Sequence, residues 1–297
     1  MIFEQAHAKI NLALDITGRR ENGYHDVRMI MQSVGLCDDL SFSKGKPGQG
    51  ITLKTDSPVL EKEREAGGDN LILKAARLLS ERVGKNLDAD ITLVKRIPIA
   101  AGMGGGSSDA AATLRGLNRL FDLGLSFDEL REIGVKIGAD VPFCVEGGLC
   151  LAEGIGEILT PLQSVASIPV VICKPDISVS TPEVYRAYDA APSETHPDVD
   201  GMLAAIKDYD NGGVIAGLGN VLEPVTAGMH PVIKEIKEKA LSAGATGSLM
   251  SGSGPTVFAT FNSEKEAASA AAELSKAFPE YFCWVGTFHN TKRPRFE

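Results

Sequence analysis

The stretch PIAAGMGGGSSDAAA at residues 98–112 places Gly102, Gly104, Gly105 and Gly106 within five positions, directly ahead of an alanine-rich segment. Glycine has no Cβ, so such a loop reaches positive φ and lets backbone N–H groups approach a ligand closely. Ser107 and Ser108 then open a predicted helix whose positive end favours an anion. Ala110, Leu114, Leu117 and Phe121 form one apolar stripe at helical spacing, which closes near Gly124. Upstream, residues 89–95 alternate like a strand. Strand, glycine loop and helix N-terminus together read as a phosphate cradle. No Lys-Ser or Lys-Thr follows the glycines and no segment matches G-x-G-x-x-G, so neither a P-loop nor a dinucleotide fingerprint explains it.

The other features narrow the class of ligand. The chain has 297 residues, 43% hydrophobic and 23% charged, as expected of an ordinary globular protein of one large or two medium domains. Its formal net charge is −9, with no basic stripe to hold a nucleic acid. An acidic chain that binds phosphate does so locally, through loop amides, a helix end and one or two cations, which suits a small molecule. No run of about 18 apolar residues suggests a membrane span. The first residues lack the basic start and apolar core of a signal peptide, so the expected location is cytoplasmic. The five cysteines are scattered without C-x-x-C and read as buried reduced thiols. The five histidines show no metal-ligand spacing, so a zinc site is not expected.

Along the chain, strands are expected at residues 3–11, 40–43 and 51–55, and helices at 70–83 and 127–137. The latter leads into Gly138-Ala-Asp-Val-Pro142. After Gly147 and Gly148 the character changes. A buried strand is expected at 167–173, helices at 182–189, 199–209 and 231–243, and a polar surface loop at 190–200. The tail reads as strand, turn, strand, helix and strand at 247–250, 251–256, 257–261, 264–277 and 281–288, a split αβ sandwich. A boundary near residues 155–166 gives two expected domains, 1–160 and 161–297.

Lys9-Ile-Asn11, the loop from Pro98 to Ser108, and Ser251-Gly-Ser-Gly-Pro-Thr256 occur in an order that resembles the GHMP kinases. The middle motif of that superfamily usually reads P-x-x-x-G-L-G-S-S-A-A. Here Met103 stands for the leucine and the loop is expanded. The expanded form, with Gly23-Tyr-His-Asp26, Met31-Gln-Ser33 and Gly138-Ala-Asp-Val-Pro142, resembles one branch, which phosphorylates the tertiary hydroxyl of a cytidine-diphosphate-linked polyol in non-mevalonate isoprenoid synthesis. The resemblance runs from residue 6 to about 260. It implies an α+β, two-domain GHMP kinase fold: an N-terminal mixed αβ nucleotide-binding domain, a C-terminal split αβ sandwich, and an active site in the cleft between them.

Residue by residue, the resemblance makes Asp140 the base for the attacking hydroxyl, with Lys9 keeping Asp140 ionised and orienting that hydroxyl. Read without it, Asp140 is a helix cap before Val-Pro sooner than a base, and Lys9 a lysine on the non-core face of a strand. Asn11 shares the face of Lys9 and is a substrate-binding candidate. Tyr24 would stack on a cytosine ring and His25 would meet its Watson–Crick edge; read plainly, they are loop aromatics. Thr181, ahead of Pro182, matches a substrate-contacting Thr-Pro turn. Pro98, Gly102, Met103, Gly104, Gly105, Gly106, Ser107 and Ser108 would wrap ATP, with Ser107 or Ser108 near a bridging Mg²⁺. The implied partner is thus a small-molecule substrate carrying a cytidine diphosphate group, with neither nucleic acid nor membrane. The Tyr24-His25 pair argues against homoserine, mevalonate or a sugar as acceptor. The presence of both Lys9 and Asp140 argues against a catalytically silent sensor.

Overall fold

A computed structural model describes residues 1–65 and 70–290, with residues 63–65 as backbone only. It divides into two compact units, each assembled from separate stretches of chain.

The first unit comprises Met1–Ala8, Leu36–Ile99 and Gly104–Glu146. It takes one end each of strands β1 (Ile2–Arg19) and β2 (His25–Lys44). β3 (Ile51–Thr55), α1 (Pro58–Glu65), α2 (Leu71–Val83), β4 (Ala89–Val94), α3 (Gly105–Leu120), α4 (Phe127–Val135) and α5 (Val141–Glu146) follow. β4 is central in the order β3-β4-β2, parallel to β3 with Ile51 opposite Ala89, and antiparallel to β2 with Asp39 opposite Val94. Two of its helices start where side chains replace missing backbone acceptors. Asn70 accepts from the Ile72 amide ahead of α2, and Ser126 and Glu129 form a reciprocal capping box for α4. The core gathers Leu40, Phe42, Ile91 and Leu93 from the strands with Ile72 and Leu79 of α2, Leu114 and Leu117 of α3, and Ile133 of α4. α3 approaches the sheet so closely that a Cβ on Gly116 would stand 2.4 Å from the Phe42 ring.

The second unit comprises Lys9–Gly35, Ala100–Met103 and Gly147–Glu297. Residues 291–297, at the end of the expected second domain, lie outside the described ones. Its new elements are β5 (Leu149–Glu153), β6 (Ile158–Pro161), β7 (Pro169–Lys174), α6 (Thr181–Ala190), α7 (Val199–Lys207), α8 (Asn211–Ala216), β8 (Gly219–Asn220), α9 (Glu223–Met229), α10 (Val232–Ser242), β9 (Gly247–Met250), β10 (Val257–Thr260), α11 (Glu264–Ala277) and β11 (Phe282–Thr287). One set of strands runs β6-β5-β2-β1-β8, in which Met29 opposes Ala152 and Ala13 opposes Gly219. The tail forms the four-stranded antiparallel sheet β11-β7-β10-β9, with Ile172 between Trp284 and Phe258. α10 buries Ile233, Ile236 and Ala240, and α11 buries Ala267, Ala270 and Leu274; both pack on this sheet. Sheet plus helices form the αβ sandwich expected from the tail.

Two strands exceed their sequence expectations. β1 runs to Arg19 rather than residue 11, and β2 starts at His25 rather than residue 40. Every residue from Ala8 to Leu14 is buried, so β1 is covered on both faces and the period-two signal that marks a half-exposed strand is absent. Among the described residues no helix is long and apolar enough to cross a membrane. None of the five cysteines is in a disulfide; Cys150 and Cys173 are buried as expected, whereas Cys37, Cys144 and Cys283 are partly exposed.

Candidate active site

The glycine loop joins β4 to α3. Positive φ occurs at Gly102 (72°), Gly104 (66°) and, unexpectedly, Ala100 (53°), but not at Gly105 or Gly106. Those two are already helical. α3 starts at Gly105 rather than at Ser107, which corrects the expectation that the two serines open the helix. Space beside the two glycines is tight: a Cβ would stand 3.0 Å from Ile97 Cγ2 at Gly105 and 3.2 Å from Leu71 Cδ1 at Gly106. The N-cap is Gly104, and no side chain caps the helix. Its first N–H groups therefore lack an intrahelical or capping acceptor, and with the helix dipole behind them they suit an anion.

In the first unit, Ser107 lies in this opening turn, partly exposed, while Ser108 is 1% exposed and donates its hydroxyl to the His7 carbonyl at 2.6 Å. The turn at residues 138–140 comes beside them, since a Cβ on Gly138 would stand 4.0 Å from Ser107 Oγ. Asp140 ends that turn and precedes α5, its carbonyl accepting from the Cys144 amide. The fold thus brings the Asp140 segment to the uncapped end of α3. Behind the loop, Lys95 Nζ lies 2.5 Å from Asp38 Oδ2 and 2.9 Å from Asp109 Oδ2. Burial pulls the Lys95 ammonium down, but the two carboxylates outweigh it and hold its pKa above the ordinary lysine value. Burial pushes the Asp109 carboxyl up to about 7, against the pull of Lys95.

In the second unit, the Lys9 amide donates to the Met103 carbonyl at 3.0 Å, fastening the loop to β1. Lys9 and Asn11, expected on one face, are buried rather than surface residues, and Lys9 Nζ donates to Asn11 Oδ1 at 2.8 Å. Asn11 Nδ2 in turn reaches Met29 Sδ at 3.3 Å. The turn after β9 closes over them. Gly252 leaves room where a Cβ would be 3.5 Å from Lys9 Nζ and 3.6 Å from Asn11 Oδ1. Ser251 Oγ donates to the Gly102 carbonyl at 3.1 Å, so the turn at 251–256 forms one wall of the loop. Thr181 Oγ1 and Ser253 Oγ are 2.8 Å apart, which brings the start of α6 to the same turn.

His25 is placed by a carboxylate. Its Nε2 is 2.7 Å from Asp189 Oδ1, and its ring tilts against Tyr185 with centroids 4.9 Å apart. Tyr24 beside it is 59% exposed.

Several residues escaped the sequence reading: Asp38, Lys95 and Asp109 in the first unit, and Tyr185, Asp189 and Asn220 in the second. Asn220 donates to the carbonyls of Met250 and Gly252 and so holds the closing turn. Lys95 alone carried a signal, a lysine directly ahead of a glycine loop. The others become neighbours only through long-range contacts.

The chain was compared with known proteins. Residues 70–148 match the family described as GHMP kinases N terminal domain, and residues 202–280 match GHMP kinases C terminal. A 4-diphosphocytidyl-2-C-methyl-D-erythritol kinase of Alkaliphilus metalliredigens is 45% identical over 271 residues, 91% of each chain. One of Lachnospira eligens is 48% identical over 261 residues, 88% of this chain and 89% of that one. A crystal structure of a 4-(cytidine 5'-diphospho)-2C-methyl-D-erythritol kinase superposes with a TM-score of 0.81 at 33% identity, covering 98% of this chain and 100% of that one. A two-domain GHMP kinase fold, the motifs in their order and relatives matched over nine-tenths of their length agree: the chain belongs to the GHMP kinases and, within them, to the family of 4-diphosphocytidyl-2-C-methyl-D-erythritol kinases.

Proposed function

We propose that this chain transfers the γ-phosphoryl group of ATP to the 2-hydroxyl of 4-diphosphocytidyl-2-C-methyl-D-erythritol, a step in isoprenoid precursor synthesis. The observation that carries the reading is the uncapped first turn of α3 behind a loop whose left-handed glycines turn the backbone toward it. Phosphoryl transfer needs little covalent chemistry from a protein; it needs positioning and charge stabilisation. Pro98, Gly102, Met103 and Gly104 shape the cradle, and the amides of Gly105, Gly106 and Ser107 face the phosphates. Asp140, on the turn beside Ser107, accepts the proton of the attacking hydroxyl, an effect worth about 10²–10⁴-fold. Lys9 and Asn11, locked together by their hydrogen bond, orient that hydroxyl. Tyr24 stacks on the cytosine, His25 reads its edge, and Thr181 contributes from the start of α6.

The donor set fits Mg²⁺ carried by the nucleotide. Among the described residues no group of three or more His, Cys, Asp or Glu side chains could hold a metal, and Mg²⁺ keeps several waters while binding phosphate oxygens. Ser107, partly exposed in the opening turn, is the protein group that would ligate it, since the Ser108 hydroxyl is directed at the His7 carbonyl. When bound, the ion neutralises phosphate charge.

The test is phosphorus NMR of the full chain with Mg²⁺-ATP and 4-diphosphocytidyl-2-C-methyl-D-erythritol. A new phosphomonoester resonance together with ADP is expected. Phosphorylation of homoserine, mevalonate or a sugar in its place would overturn the acceptor, and turnover of no acceptor would overturn the kinase reading.

A further inference from the structure

Lys95 follows β4 by one residue, and its ammonium ends against the first residue of α3: a Cβ on Gly105 would be 3.1 Å from Nζ. Two carboxylates grip it there, Asp38 from β2 and Asp109 from the second turn of α3, and the three side chains are 8%, 0% and 4% exposed. Asp38 is itself fixed, because its Oδ1 accepts from the amides of Arg96 and Ile97 at 2.5 and 2.8 Å. The other oxygen of Asp109, Oδ1, finds no hydrogen-bond partner among the described residues.

Stability alone does not account for this arrangement. Burying an ion pair roughly cancels its own Coulomb gain, and a second carboxylate with an unpartnered oxygen adds a desolvation cost. What the three groups provide is geometry. They tie the end of β2 and the segment after β4 to the turn of α3 whose amides are left open, and they place a cation directly behind those amides.

We propose that Lys95 is a positioning residue for the phosphoryl donor, holding the first turn of α3 through Asp38 and Asp109 in the orientation that receives a polyphosphate. The inference rests on the reading of the loop as the nucleotide's phosphate site and adds a residue to it. Lys95 does not touch the reacting atoms. It acts through Gly105 and Asp109, and the missing side chain at Gly105 is what lets the ammonium come so close.

The experiment is MgADP affinity by calorimetry and initial-rate kinetics in both substrates, on wild-type, Lys95→Met and Lys95→Met/Asp109→Asn chains. The single variant leaves two buried carboxylates bare and can fail to fold. The double variant leaves only Asp38, which keeps its two amide donors, and thermal unfolding checks that it is native. The expected result is MgADP affinity weakened about 10-fold or more, the scale on which misplaced binding groups act, with the acceptor KM within about twofold of wild type. A purely structural role would shift both substrates together or neither, and either pattern in the folded double variant would overturn the proposal. If wild-type protein bound no nucleotide, the reading of the loop would fall and this inference with it; wild-type binding with an unchanged variant would overturn the inference alone.

Discussion

Ser251 donates its hydroxyl to the carbonyl of Gly102, a hydrogen bond between positions 149 residues apart in the chain. Gly102 sits at φ 72°, and a Cβ there would be 2.6 Å from the Ser251 carbonyl oxygen and 2.8 Å from that of Gly254. The obstructing atoms are backbone and cannot swing aside. Gly102→Ala therefore combines left-handed strain of about 1–2 kcal/mol with overpacking of about 1–3 kcal/mol. Initial-rate kinetics should show the nucleotide KM raised and kcat/KM down by about 100-fold, since displacements near 1 Å act on that scale. Near-normal kinetics would show that the loop does not depend on this contact.

Asp140→Asn removes the carboxylate and keeps its shape. With Asp140 as base, kcat should fall by about 10²–10⁴-fold while binding of the cytidine-bearing acceptor, measured by calorimetry, stays nearly intact. A variant with ordinary turnover would return Asp140 to the lesser role of helix cap.

Tyr24 is largely exposed, so Tyr24→Ala should leave thermal stability within about 0.5 kcal/mol of wild type. Loss of one base-stacking contact, about 1–3 kcal/mol, should raise the acceptor KM by about 10–100-fold. An unchanged KM would place the cytosine elsewhere.

Gly116→Ala sets two effects against each other. Alanine is the better helix former by about 1 kcal/mol. Its methyl, however, would stand 2.4 Å from the fully buried ring of Phe42, and overpacking a core costs about 1–3 kcal/mol. Chemical denaturation should show net destabilisation. A gain in stability would mean that the ring can shift at little cost.

Burial, with the Cys283 thiol nearby, pushes the Cys173 thiol up to about 12. The unfolded chain ionises this group near about 8.5, so between that pH and about 12 it releases a proton that the folded chain keeps. The contribution is complete below the unfolded value and is lost as pH rises through the folded one. Wild-type protein should therefore lose stability toward alkaline pH more steeply than Cys173→Ala, in denaturant titrations at pH 8 and pH 10. Parallel losses would contradict the shift. Native protein at pH 8 should also resist iodoacetamide at Cys173 until denaturant is added, as mass spectrometry of the peptides will show.

The parts of the fold and site that were legible in the sequence are those fixed by neighbours along the chain. The glycine loop, β4 and α3 are such a case, because each depends on residues a few positions away, and so is the strand, helix and strand tail from Val257 to Thr287. The first half of β2 was not legible, because Val27 to Val34 mixes apolar residues with Arg28, Gln32 and Ser33, and the last two are themselves buried, so the polar pattern shows no clean period. Lys9 and Asn11 were visible as candidates, but their burial was not, since it depends on the distant turn around Gly252. Asp189 is separated from His25 by 164 residues, and no local pattern marks it as the group that fixes that ring.

The two compact units exchange the chain at residues 8/9, 35/36, 99/100, 103/104 and 146/147. Neither is a continuous stretch of polypeptide, so neither could be cut out and expressed as a cassette without severing β1, β2 or the loop itself. A cut at any one of these crossings therefore leaves both units incomplete, and the chain has to be made and folded as one piece.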